Sequence, residues 1–124
     1  MPILIGNTFP MTLVRRKVVV EPIVIGSWVW AGEPIVSFWG HENTRPIAEK
    51  MLGVNLKPYT ERPAITLNDE GLPMLNGQTF KEVYLLNPDY KPGFRPIPGR
   101  EVTPDEIIGW TMLRVQFLER NCIW

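Results

Sequence analysis

Cysteine and histidine occur once each, and each scarcity closes off a class of chemistry. Cys122 alone cannot form an intrachain disulfide. One thiol and one imidazole cannot build a Cys/His zinc cage within a single chain. Net charge is absent as well: 13 Lys and Arg balance 13 Asp and Glu, so no broad cationic surface for long nucleic acid is expected. A small anion held by a few placed basic groups is still compatible with that balance. No apolar run approaches the ~20 residues of a membrane span. The first apolar run precedes Arg15-Arg16-Lys17, the reverse of the order in a secretory signal. The expectation is a soluble, cytoplasmic protein with no membrane partner.

Proline and glycine, by contrast, are plentiful, at 13 and 10 of 124 residues, and predict short elements joined by stiff loops. A hydrophobic content of 44% fits one globular domain spanning 1–124 with a real core. Residues 2–5 read as a short strand buried on both faces, and Gly6 to Pro10 as turn chemistry. The Val- and Ile-rich stretch 17–25 reads as a strand in which Pro22 belongs at an edge or boundary. Residues 35–39 are the next strand, ending at Gly40. A helix follows, with Asn43 or Thr44 as cap, Pro46 in its first turn, and Ile47, Ala48, Met51 and Leu52 as its apolar stripe. Gly53 supplies a left-handed stop.

Further strands are predicted at 63–67 and 81–86, followed by a long loop over 87–100 carrying Lys91, Arg95 and Arg100. Thr103-Pro104-Asp105-Glu106 is a capping-box helix start, with the helix expected to end near Gly109. Residues 112–118 alternate as a last strand with one buried face. The whole predicts an α/β (α+β) fold: a small mixed sheet of about five strands with helices packed on it.

His41 is the chemically suggestive residue. It lies in Gly40-His41-Glu42-Asn43-Thr44-Arg45-Pro46, between an apolar strand and a helix start. A helix N-terminus offers unpaired backbone N–H groups and a positive dipole end to an anion. Imidazole suits proton transfer near neutral pH. Gly40, Thr44 and Arg45 flank it as candidate substrate contacts, so a phosphodiester site is expected. The plain alternative is a histidine of a loop or the core.

The motifs then fall in a familiar order. An apolar first strand precedes Asn7-Thr8-Phe9; Ser37-x-x-Gly40-His41-Glu42-x-Thr44, Leu52-Gly53-Val54 and Glu61-Arg62 follow. A late-loop arginine, the helix start at Thr103 and the closing Phe117-Leu118-Glu119-Arg120 complete it. In this order the chain resembles the viral type III anti-CRISPR ring nucleases, over roughly residues 3–120. The resemblance implies a small mixed α/β sheet assembled as a homodimer. It implies that the dimer encloses one cyclic tetra-adenylate, the messenger of type III CRISPR systems, and opens the ring to switch off that signalling. The family's catalytic histidine falls on His41 and its loop arginine on Arg95. The chain departs from the family at Pro10, where a serine is usual, at Pro96 and Pro98 beside the loop arginine, and in Trp28, Trp30 and Trp39.

The residues themselves suit that chemistry. Without a second histidine, the economical mechanism lets the substrate supply its own nucleophile. A ribose 2′-hydroxyl attacks the adjacent phosphorus, His41 protonates the leaving 5′-oxygen, and a 2′,3′-cyclic phosphate results. Arg95 would stabilise charge on the phosphoryl oxygens. No cofactor or protein-bound metal is called for. Each further candidate has a plainer reading. Arg95 is otherwise a solvated loop residue, Arg62 a partner of Glu61, and Asn7 and Thr8 ordinary turn residues. Arg45 reaches a phosphate or only water. The tryptophans are chiefly core or interface residues, with stacking on adenine as the alternative. Two other functions fit the same sequence: a sponge that holds a cyclic oligonucleotide intact, and a viral structural or interaction protein.

Overall fold

The strand Ile3–Gly6 (β1) is aliphatic on both sides, and every residue in it is buried. Such a strand needs neighbours on both edges and cover on both faces. In the computed structural model, which describes residues 3–25, 33–40, 43–58, 65–95 and 102–118, it has all four. Val18–Ile23 (β2), Ile35–Ser37 (β3), Glu82–Tyr90 (β7) and Ile107–Phe117 (β8) join it in a five-stranded sheet of order β2-β8-β7-β1-β3. β1 pairs in parallel with β3 and β7, whereas β8 runs antiparallel to both β7 and β2. The sheet is therefore mixed, as the sequence predicts. Between β3 and β7 come the helix Arg45–Leu52 (α1) and a small antiparallel sheet of Thr66–Leu67 (β4), Pro73–Leu75 (β5) and Gln78–Thr79 (β6).

Each face of the large sheet carries its own core. On one face Leu4, Val83, Leu85, Val115 and Phe117 pack against Phe9, Phe38, the small sheet's Leu75, and Leu72 and Phe80 that flank its strands. On the other, Ile3, Ile5, Leu86 and Met112 pack against Trp39, Leu56 and Ala48 of α1. The face assignments follow strand alternation. α1 is the single α-helix among the described residues, so the expectation of several helices holds only for this one. Its Gly53 stop is as predicted, with φ 72° and its N–H bonded to the Glu49 carbonyl at 2.8 Å. The apolar stripe is narrower than expected: Ala48 is buried, but Met51 is exposed and turns outward with Ile47.

Two long strands overrun the predicted loop and helix. β7 continues through Asn87-Pro88 to Tyr90, and β8 begins at Ile107 instead of after Gly109. Backbone parity explains why Pro88 is tolerated. The Phe117 N–H donates to the Lys81 carbonyl, so odd-numbered β7 residues face β8 and even-numbered ones face β1. β1 has ended at Gly6, opposite Leu85, so the ring nitrogen of Pro88 meets no strand. The Thr103 start yields only a 3-10 turn, Pro104–Glu106; there the Glu106 carboxylate accepts the Thr103 N–H at 2.9 Å and its hydroxyl at 2.8 Å. Ile107 and Ile108 are β-branched and gain more from the β7 ladder than from a second helical turn. β3 likewise stops at Ser37, two residues early.

On the α1 side of the sheet, β2, β8 and β7 also carry a polar cluster. Arg114 pairs with Glu21 across β8 and β2, and Glu82 accepts hydrogen bonds from Tyr84 Oη and Gln116 Nε2, each at 3.0 Å. Burial pushes the Tyr84 phenol above its ordinary value, and the Glu82 carboxylate adds to the shift.

Two measurements follow. A Cβ at Gly6 would lie 2.5 Å from the Phe38 ring, itself buried, so Gly6→Ala is expected to cost about 1–3 kcal/mol in urea unfolding. A raised phenol pKa contributes stability that is complete below about pH 10 and is lost as pH rises through the folded-state value. Tyr84→Phe should therefore show a smaller alkaline fall in stability than the parent protein.

Candidate functional site

β1, β3 and β7 are parallel, so their carboxyl ends open at one end of the sheet, where ligands of open α/β sheets characteristically bind. The segment that follows β3 there is held by a chain of hydrogen bonds. Asn7, one residue past β1 and buried, accepts the Gly40 N–H on its Oδ1 at 3.0 Å. Ser37 Oγ donates to the Leu56 carbonyl and accepts the Trp39 N–H at 3.1 Å. The buried Trp39 ring donates from Nε1 to Thr44 Oγ1 at 3.3 Å, and the Thr44 carbonyl accepts the Ala48 N–H at 3.0 Å as the first bond of α1. The described residues on either side of 41–42 are thus anchored, Gly40 to β1 and Thr44 to Trp39.

α1 is tied down in turn by one carboxylate. Glu49 Oε1 pairs with Arg45 Nη1 at 2.9 Å, and its Oε2 accepts the Leu56 N–H at 2.7 Å. Leu56 is fully buried, so this bond satisfies a donor that water cannot reach. Sequence reading missed Glu49, although the Arg45–Glu49 spacing is that of a helical i,i+4 pair. It also gave Ser37 no structural task.

Asn7, Gly40, Thr44 and Arg45 come together at this end of the sheet. Asn7 and Thr44 are buried with side chains engaged inside the protein, Arg45 is half-buried against Glu49, and Thr8 and Gly40 are exposed. His41 and Arg62 lie outside the described residues, as do Glu61, Trp28, Trp30, Pro96, Pro98, Arg100 and Cys122. Arg95 is exposed on the loop after β7, next to a turn in which the Phe94 N–H bonds to the Lys91 carbonyl at 3.0 Å. β7 runs five residues past Leu85, about 16 Å at 3.3 Å per residue, so that loop starts well beyond Gly6.

A groove of about 430 Å³ lies on the outer side of α1, lined by Pro46, Ile47, Lys50, Met51 and Pro104. Its volume is within the range of small-ligand sites, and among the described residues its charged wall residue is a lysine. Among the described residues no group of three His, Cys, Asp or Glu side chains is placed to hold a metal ion.

Comparison with protein-family models and with curated proteins finds no match. Among the described residues no helix is long and apolar enough to cross a membrane.

The Glu49 clamp gives a direct test. Glu49→Ala leaves the buried Leu56 N–H without its acceptor and should cost about 1–3 kcal/mol in urea unfolding. Glu49→Gln keeps an amide oxygen for that donor and gives up only a partly exposed ion pair, so it should recover most of the loss.

Proposed function

We propose that the chain is a ring nuclease that binds and opens cyclic tetra-adenylate, acting as an anti-CRISPR protein against type III signalling in the cytoplasm of a host cell. The observation that carries this reading is the anchoring of Gly40 and Thr44 at the carboxyl ends of β1 and β3. The Gly-His-x-x-Thr motif that marks the resemblance begins at Gly40, which is bonded to Asn7, and ends at Thr44, which is bonded to Trp39. A helix start at that end of a sheet favours a phosphate group. The adjoining groove, with Lys50 as its charged wall residue among the described ones, adds room for a nucleotide-sized group of negative charge.

In this reading the protein aligns a ribose 2′-hydroxyl with the neighbouring phosphorus. The 2′-oxygen forms its bond to phosphorus as the bond to the 5′-oxygen breaks, and His41 donates a proton to that leaving oxygen. Arg95 steadies charge on the phosphoryl group. Asn7, Thr8, Gly40, Thr44, Arg45 and Arg62 form or support the substrate pocket, Asn7 and Thr44 through their internal hydrogen bonds. Products are linear oligoadenylates ending in 2′,3′-cyclic phosphate. Two copies enclosing one ring would meet on the β3 flank, since that flank carries Gly40.

The test is incubation of the purified protein with labelled cyclic tetra-adenylate in EDTA. Ring opening is expected, and His41→Ala should slow it about 10²–10⁴-fold while binding persists. A 2′-deoxy ring should bind and resist cutting. Retention of an intact ring by the parent protein would replace the nuclease with a sponge, and absence of binding would leave a structural or interaction protein.

A further inference from the structure

We infer that the outer edge of β2 is a self-association surface, through which two copies of this chain pair antiparallel about a two-fold axis at Val19. β2 is an edge strand, and among the described residues no strand pairs with its outer side. The Leu118 N–H donates to the Lys17 carbonyl, so Lys17, Val19, Glu21 and Ile23 direct their backbone groups toward β8. Val18 and Val20 therefore direct their N–H and C=O groups outward. An edge of this kind is a template for another strand. It is also apolar: Val19 is 38%, Val20 47% and Val24 77% exposed.

Pro22 and the charges select one register. Antiparallel pairing must match outward residues with outward residues, so the axis passes through a residue position. Centring on Val20 sets Val18 against Pro22 of the second copy, which has no N–H to give. Centring on Glu21 sets two carboxylates against each other. Centring on Val19 pairs Val18 with Val20 of the other copy, twice, with four backbone hydrogen bonds and β-branched side chains matched across the strands. It also sets Lys17 against Glu21 of the other copy, on the face where Arg114 already pairs with Glu21. Each Glu21 then lies between two cations. Of these three registers this one makes the chain complementary to itself, which is what a two-fold interface requires. A six-residue edge buries little area, so a dissociation constant of roughly micromolar order is expected.

This inference does not rest on the proposed activity. β2 and β3 are opposite edges of the sheet, so pairing at β2 leaves the carboxyl-end site and its flank uncovered. The experiment uses the full chain without any cyclic oligonucleotide. Val19→Cys in a Cys122→Ser background should form a disulfide-linked dimer under mild oxidation, because directly opposed, non-hydrogen-bonded residues have Cα atoms about 4.5 Å apart. Cys122→Ser alone should not cross-link. In sedimentation, Lys17→Glu should weaken self-association about tenfold or more with an unchanged circular dichroism spectrum. A monomer at about 100 μM, far above a micromolar constant, would overturn the inference. So would association that neither cross-links at residue 19 nor responds to Lys17→Glu.

Discussion

Four residues with no polar side chain set the terms for this fold. β1 is buried on both faces, so it cannot lie at an edge or against solvent. That demand draws β3 and β7 to its two sides and needs cover above and below: the small sheet with Phe9 and Phe38 on one face, and α1 with Trp39 and Leu56 on the other. Because both neighbours are parallel to it, their carboxyl ends necessarily emerge together. The clustering of Asn7 with Gly40, and the start of α1 just beyond, is a geometric consequence of that burial.

Gly40 and Thr44 are anchored through side chains that are themselves inside the protein. Ser37, Thr44 and Glu49 each satisfy a backbone or ring group of buried Trp39 or Leu56, and buried Asn7 adds a bond to the Gly40 N–H. Such a network fixes position better than apolar packing, since a shift of one member breaks directional bonds. The side chains in it are engaged inside the protein, whereas Thr8 and Gly40 are exposed at the same end of the sheet.

Much of the fold was legible because it rests on local rules. Aliphatic β1, the edge position of Pro22, the helix over 45–52 and the left-handed Gly53 each follow from a pattern or a single residue's stereochemistry. The β5–β6 hairpin was missed although its signal is strong: Asn76 and Gly77 both have positive φ, at 52° and 77°, as a two-residue hairpin turn requires. The reach of β7 through Asn87-Pro88 was hidden for another reason. Proline breaks a strand only if its nitrogen faces a neighbour; parity turns Pro88 toward the β1 side, and whether a neighbour is there depends on where β1 ends. The site's supporting carboxylate, Glu49, was equally obscure, because its acceptor role depends on Leu56 returning to α1 after the Gly53 turn. Local chemistry announces elements; their lengths and their partners are decided by distant chain.

The contact between Gly6 and Phe38 has an evolutionary corollary. The aromatic ring occupies the space that any side chain at position 6 would fill. Relatives of this chain should therefore drift at the two positions together, a bulkier residue at one arriving only with a slimmer residue at the other.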